Sequence, residues 1–216
     1  MYFTSLLRNQ FGSPSGPLGS HWIAPLMNIA NLRLIRTSIQ LLAPKPADTV
    51  LDVGFGGGAS LVALSRQVTA GKVIGVDYSR DMVKDATALI QRRGLEANVS
   101  VTWGDVAHLP LADGSVDKIL SCNSLYYWPD IRASLLELKR VLRPGGKVAL
   151  GFRSARSLRP FEFAWRGFLV YEPEEMAALL RQAGFEIVHV EHRDRWQIPD
   201  MVVVVAQLPL GLTTSL

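Results

Sequence analysis

Hydrophobic positions change their period along the chain, and each change marks an element. Leu32, Ile35, Ile39 and Leu42 recur at helical spacing after a stretch broken by Gly12, Pro14, Gly16, Pro17 and Gly19, which predicts a loop followed by an amphipathic helix. Pro44 and Pro46 lack amide hydrogens and stop that helix, and Asp48 occupies the turn before the apolar run Thr49-Val50-Leu51. From there short apolar runs alternate with helical stretches. Residues 50–53, 72–76, 99–102, 116–120 and 147–151 read as strands, with 60–67, 81–92 and 131–141 as the helices between them. Such alternation implies a parallel sheet covered by helices on both faces. An arginine-rich loop follows residue 152, then a helix over 174–182, with Pro173 at its start and Gly184 past its end. Residues 185–191 and 201–207 read as two final strands. The segment between them is short and polar, with Asp194 and Asp200, so they are expected to form an antiparallel hairpin at one edge of the sheet.

Composition narrows the classes of function. The chain has 216 residues, 48% of them hydrophobic and 19% charged, enough to bury a core and too apolar for a disordered tail. No run reaches the roughly 20 apolar residues that a membrane-spanning helix needs. A single cysteine, Cys122, excludes a disulfide framework within the chain and a cysteine-rich zinc site. Asn9, Gln10, Gly12, Ser13 and Pro14 interrupt any apolar signal-peptide core, and the expected location is the cytoplasm. The 23 basic residues exceed the 19 acidic ones by four, but the arginines are scattered, which permits nucleic acid without indicating it. His189 and His192 stand three apart on a strand and point to opposite faces, so no metal is expected.

The chemistry concentrates where the first strand ends. Gly54, Gly56, Gly57 and Gly58 put four glycines in five residues, a loop able to turn sharply and let backbone approach a ligand ahead of the next helix. Gly54, Gly56 and Ala59 also satisfy a dinucleotide fingerprint, so the loop alone leaves nicotinamide or flavin open. Asp77 narrows this. It closes the second strand about 20 residues past the loop, where an acid can take both hydroxyls of a ribose, and an adenosine ligand is implied. The alternative role for Asp77 is to cap the helix beginning near Ser79.

Taken in order, Val50-Leu51-Asp52-Val53-Gly54-Phe55-Gly56-Gly57-Gly58, Gly75-Val76-Asp77-Tyr78-Ser79 with Met82, Gly104-Asp105 before Leu109-Pro110-Leu111, Val116-Asp117, and Leu142-Arg143-Pro144-Gly145-Gly146-Lys147 resemble the class I S-adenosylmethionine-dependent methyltransferases. The similarity is greatest to the small-molecule branch that includes ubiquinone- and menaquinone-type enzymes. The resemblance implies a Rossmann-like, doubly wound α/β sheet of seven strands, six parallel and the last antiparallel. Residues 1–45 would form a loop and helix covering the cofactor, and residues 46–210 the S-adenosylmethionine-binding domain. It further implies that Asp52, Gly54, Gly56 and Gly58 line the methionine part of the cofactor, Asp77 binds the ribose, Tyr78, Asp105 and Val106 lie at the adenine, Cys122 and Asn123 close the methionine side, and Met82 is a further cofactor-binding residue. Phe55 and Gly57 depart from the family pattern, which more often has a cysteine or small residue and a threonine there.

The segment after the fourth strand, 121–130, reaches the edge where ligands bind in such folds and carries Tyr126, Tyr127 and Trp128. Tyr126 and Tyr127 are candidates to wall the acceptor and hydrogen-bond it through a phenol. His21, in a segment resembling the family's N-terminal cover, is a third candidate for catalysis, as base or lid residue. Arg153, Arg156 and Arg159 could grip an anionic group, and Phe161, Phe163, Trp165 and Phe168 suit a partly apolar acceptor. Three other readings stay open: a nicotinamide-dependent oxidoreductase, a nucleic-acid methyltransferase, and a protein that binds the cofactor without turnover.

Overall fold

The computed structural model describes residues 24–158, 169–195 and 198–210, with side chains described from Asn31 onward, apart from residues 194–199. His21, Arg159 and the aromatic group at 161–168 lie outside the described residues. Helix α1 (Ala24–Leu42) precedes β1 (Thr49–Val53), α2 (Ala59–Ser65), β2 (Lys72–Asp77), α3 (Arg80–Arg93), β3 (Val99–Trp103) and β4 (Val116–Cys122). A 3-10 turn (Leu125–Tyr127), α4 (Ile131–Val141), β5 (Leu142–Phe152), the helical turn α5 (Ala155–Leu158), α6 (Pro173–Gln182), β6 (Glu186–Arg195) and β7 (Ile198–Gln207) complete the order. The seven strands lie β3-β2-β1-β4-β5-β7-β6. All neighbours from β3 to β5 pair in parallel, and β7 pairs antiparallel with both β5 and β6. Six strands therefore run one way and β7 runs against them.

Alternation of side chains along the strands splits the core into two layers. Leu51, Ile119, Val148, Leu150 and Val204 pack with Leu135 and Leu138 of α4 and Met176 and Leu180 of α6. Val50, Leu120, Ala149, Val203 and Val205 pack with Leu34, Ile39 and Leu42 of α1 and with α2 and α3. Helix α1 is thus part of the core, laid on β4, β5 and β7.

The structure moves three boundaries. β5 starts at Leu142 rather than Lys147, although Pro144, Gly145 and Gly146 argue against a strand; the register shifts between Val116 and Lys118 on β4, and such an irregularity is where Pro and Gly are tolerated. The short polar segment expected between the last strands is mostly strand, so that Asp200 sits within β7 and is buried. The arginine-rich loop opens with a buried residue, Arg153, and coils into α5.

Candidate active site at the carboxyl edge of the sheet

The end of β1 builds the centre of the site. Gly54 has φ 70°, and a side chain on it would collide with Ser124, whose hydroxyl donates to Val53 O at 3.2 Å and lies 2.5 Å from Ser121 Oγ. That position admits only glycine for two independent reasons. Gly56 and Gly57 are the opposite case: a Cβ on either would meet no atom within 4 Å, so this part of the loop borders open space in which a ligand can lie against bare backbone. Phe55, the departure from the family pattern, does not occupy that space. Its ring is buried and lies against Gly75 of β2, where a Cβ would meet it at 2.7 Å.

Asp77 ties this loop to β2. Its Oδ2 accepts from Gly56 N and its Oδ1 from Ser79 N, both at 2.9 Å, while the cap of α3 is Ser79, whose Oγ accepts from Met82 N at 3.3 Å. Each carboxylate oxygen keeps a second lone pair, so two hydroxyls can still donate to a carboxylate already aimed by two amides. Beyond it, Tyr78 is 72% and Trp103 44% exposed. Their ring centroids are 6.2 Å apart, Trp103 Nε1 donates to Tyr78 O at 2.8 Å, and the Arg80 guanidinium lies 4.5 Å from the Trp103 ring centre. Trp103 thus stands beside Asp77, its register partner across β2 and β3. The strand pattern gave no reason to single it out. Asp105 folds back on its own turn, Oδ1 accepting from Ala107 N at 2.9 Å, and Val106 is buried in the core.

Asp52 is the charged group that the apolar core explains least. It is 1% exposed, and its Oδ2 has no hydrogen-bond partner among the described residues, as is true of Ser38 Oγ on α1. Burial pushes its carboxyl up to about 7, Ser60 pulls it down, and Asp77 adds a smaller push upward. Beside it, burial raises the Cys122 thiol to about 12, with Ser38 lowering and Asp52 raising it; a thiol kept protonated is no nucleophile. Asn123 follows with φ 55°, a conformation in which asparagine is enriched, and its Nδ2 donates to Asn31 Oδ1 of α1 at 2.7 Å. Asn31, Ser38, Asp52, Cys122 and Asn123 thereby form one polar group where α1 meets the ends of β1 and β4.

Further along the edge, Tyr126 is buried and its hydroxyl accepts from Arg153 N at 2.6 Å. Arg153 donates from Nη1 to Asp200 O at 2.6 Å, Asp200 Oδ1 accepts from Ser154 N at 3.0 Å, and Asp200 Oδ2 lies 2.8 Å from His192 Nε2. The acid and histidine that sequence left in a hairpin turn and on a strand therefore close a clasp at the exit of β5, with Asp200 buried and His192 on its outer side. Tyr127 is 50% exposed and meets Tyr126 edge-on. Burial raises the pKa of both phenols, which keeps them protonated, as donors, at neutral pH. The structure brings together Asp52, Gly54, Gly56, Gly58, Asp77, Cys122 and Asn123; Tyr78 flanks them on one side and Tyr126 and Tyr127 on the other. Among the described residues no group of His, Cys, Asp and Glu is arranged to hold a metal, and no helix is long and apolar enough to cross a membrane.

A family model described as "Methyltransferase domain" matches residues 51–150. The demethylmenaquinone methyltransferase of Anoxybacillus flavithermus is 31% identical over 169 residues, covering 65% of this chain and 71% of that protein. The arsenite methyltransferase of Halobacterium salinarum is 31% identical over 160 residues, covering 70% of this chain but 41% of that protein. Among solved structures, a SAM-dependent methyltransferase from Aquifex aeolicus superposes with a TM-score of 0.69 at 28% identity over 81% of this chain and 89% of its own. The glycine loop and the acid that closes β2 stand at the edge where sheets of this kind take their ligands, and these similarities fix the class: the chain belongs to the class I S-adenosylmethionine-dependent methyltransferases. The chain spans only 32%, 41% and 36% of the length of three of its curated relatives.

Proposed function

We propose that the protein transfers a methyl group from S-adenosylmethionine to a small organic acceptor bound at the β4–β5 side of the carboxyl edge. The observation that carries this reading is the buried Asp52 carboxylate with one oxygen unpaired, set beside a glycine loop whose outer surface is bare backbone. A buried carboxylate without a donor is unfavourable by several kcal/mol or is neutralised, and the amino group of a methionyl chain supplies both the charge and the N–H donors. The residues present therefore fit the cofactor. Asp52 with Asn123 would hold the amino-acid end, Gly54, Gly56 and Gly58 the path between, Asp77 the ribose hydroxyls, and Tyr78, Trp103 and Asp105 the adenine side. When bound, the cofactor supplies the activated methyl group.

What this chain adds is alignment and exclusion of water. Positioning two reactants in line can lower a barrier by as much as ~7–11 kcal/mol. Tyr126 holds the exit of β5 against the turn after β4, and Tyr127 offers a phenol O–H on the open side to orient the acceptor's nucleophilic atom. Being protonated, neither phenol removes a proton at neutral pH, so acceptors that are already anionic or carry a lone pair are favoured unless another base serves. His21, in the segment that precedes α1, is the histidine we assign to that role. The relatives named for demethylmenaquinone and arsenite both act on small molecules, which supports an acceptor of that size.

Calorimetric titration with S-adenosylmethionine and S-adenosylhomocysteine, with NADH as control, tests the reading. Saturable binding of both sulfur ligands, no binding of NADH, and release of homocysteine in a coupled assay over an acceptor panel are expected. Binding of NADH alone would refute it, and sulfur-ligand binding with no turnover on any acceptor would reduce the protein to a cofactor binder.

A further inference from the structure

A methionyl chain carries its ammonium and its carboxylate on the same carbon, so an end of the site that offers Asp52 to the one must offer donors to the other. Helix α1 supplies them. It is seated on bare backbone: a Cβ on Gly151 of β5 would meet Ser38 Oγ at 2.6 Å and Leu34 Cδ1 at 3.1 Å. Asn31 stands seven residues before Ser38, two turns along the same face of the helix. That brings it, partly buried, to the end of β4. There Asn123 donates from its backbone N to Gly151 O at 2.8 Å and from its Nδ2 to Asn31 Oδ1 at 2.7 Å. Asp52 borders the same group, because it and Ser38 both act on the Cys122 thiol.

The hydrogen bonds around Asn123 set the direction of both amides. A backbone N–H can only donate, so the Tyr126 hydroxyl accepts from Arg153 N at 2.6 Å and shares its own hydrogen between Asn123 Oδ1 and Arg153 O, both at 3.4 Å. Asn123 thereby turns its NH2 group toward α1, and Asn31 meets it with oxygen. The NH2 group of Asn31 is left facing away, and among the described residues no hydrogen bond uses it. It offers two N–H donors, and Asn123 keeps one more. Asp52 and Asp77 lie close enough to act on each other, so an anion entering this corner meets two acids and is stable only where donors receive it. We propose that Asn31, with the second Nδ2 hydrogen of Asn123, binds the carboxylate of the cofactor's methionyl group while Asp52 takes its ammonium. The inference rests on the methyl-transfer reading and adds a wall to that site: α1 selects a ligand with an intact amino-acid end over one that carries the amine alone.

The test is calorimetry with S-adenosylhomocysteine and with its decarboxylated analogue, which keeps the adenosine, the sulfur and the amino group; the weaker ligand is measured by displacement. Asn31→Asp is the discriminating variant, because a carboxylate at that position still accepts from Asn123 Nδ2 but has no hydrogen to donate and repels a second carboxylate. Affinity for S-adenosylhomocysteine is expected to fall at least tenfold. Affinity for the decarboxylated analogue should stay equal or rise, since the new charge attracts an amine. A substitution that only disturbed the seat of α1 would weaken both ligands alike. If Asn31→Asp does not fold, Asn31→Ala with a native circular dichroism spectrum carries the test, read as at least a tenfold loss in the ratio of the two affinities. Equal loss for both ligands, or undiminished affinity for S-adenosylhomocysteine, would overturn the proposal and leave the methyl-transfer reading standing. Wild-type protein that binds neither ligand would overturn that reading and this inference with it.

Discussion

Asp52→Asn separates the energetic role of the buried carboxylate from its ligand role. The carboxyl has a folded pKa of about 7 against an ordinary value of 3.8, so the folded state keeps a proton that the unfolded chain releases. Stability therefore falls as pH rises from the ordinary value toward 7 and stays low above it. At 1.36 kcal/mol per pKa unit, the penalty grows from about 2 kcal/mol at pH 5 to about 4 kcal/mol at pH 8. Asparagine is nearly isosteric, can accept from Ser60, and does not ionise. The variant should melt higher than wild type, and the gap should widen by about 5–10 °C between pH 5 and pH 8, taking ~2–4 °C per kcal/mol for a chain of this size. Over the same substitution, affinity for S-adenosylhomocysteine should fall at least a hundredfold, since a buried charge pair would lose one partner. Differential scanning fluorimetry at the two pH values and calorimetry with the ligand measure both. A melting gap that does not change with pH would refute the buried, proton-holding carboxyl, and undiminished ligand affinity would refute its role at the ammonium.

Three other outcomes follow from the same geometry. In wild type, cofactor affinity should weaken up to about tenfold per pH unit below 7 as Asp52 takes up a proton; calorimetry from pH 5.5 to 8 would show it, and a flat profile would contradict it. Asp77→Asn should weaken cofactor binding by one to two orders of magnitude while costing only ~1–3 kcal/mol of stability, because the amides of Gly56 and Ser79 keep one acceptor between them; equal affinity by titration would remove the ribose assignment. Tyr126→Phe leaves the Arg153 amide without its acceptor and should lower stability by ~1–3 kcal/mol in denaturant unfolding, with kcat more affected than KM if the clasp positions Tyr127.

The half of the edge proposed to hold the cofactor was legible because its chemistry is local. Gly54 and Gly58 are demanded by positive φ within a few residues of a strand end, and Asp77 closes its strand one position before the turn. The same holds for the helices whose apolar period matches one face, such as α4, and for the five parallel strands. What was not legible depends on register between distant segments. Asn31 and Asn123 meet across 92 residues, Ser38 is aimed by the docking of α1 on Gly151, and Trp103 comes beside Asp77 only through the pairing of β2 with β3.

Asp200 shows why the acceptor half was harder. In sequence it stands in a polar stretch with Asp194 and reads as turn, since alternation is lost there. The structure extends both strands through that stretch, so Asp200 enters the edge beside β5 and its carboxylate joins His192 and Ser154. A polar residue in a strand interior is stable only when its partners arrive from other elements, and those partners here come from after β5 and from β6. The clasp therefore takes Arg153 away from solvent and leaves Arg156, exposed on α5, as the described arginine of that loop free to meet an anionic acceptor. An acceptor that depends on such contact would lose affinity with Arg156→Gln and retain it when the clasp residue His192 is replaced by Asn. Catalysis that tracked His192 instead would place the acceptor on the clasp itself.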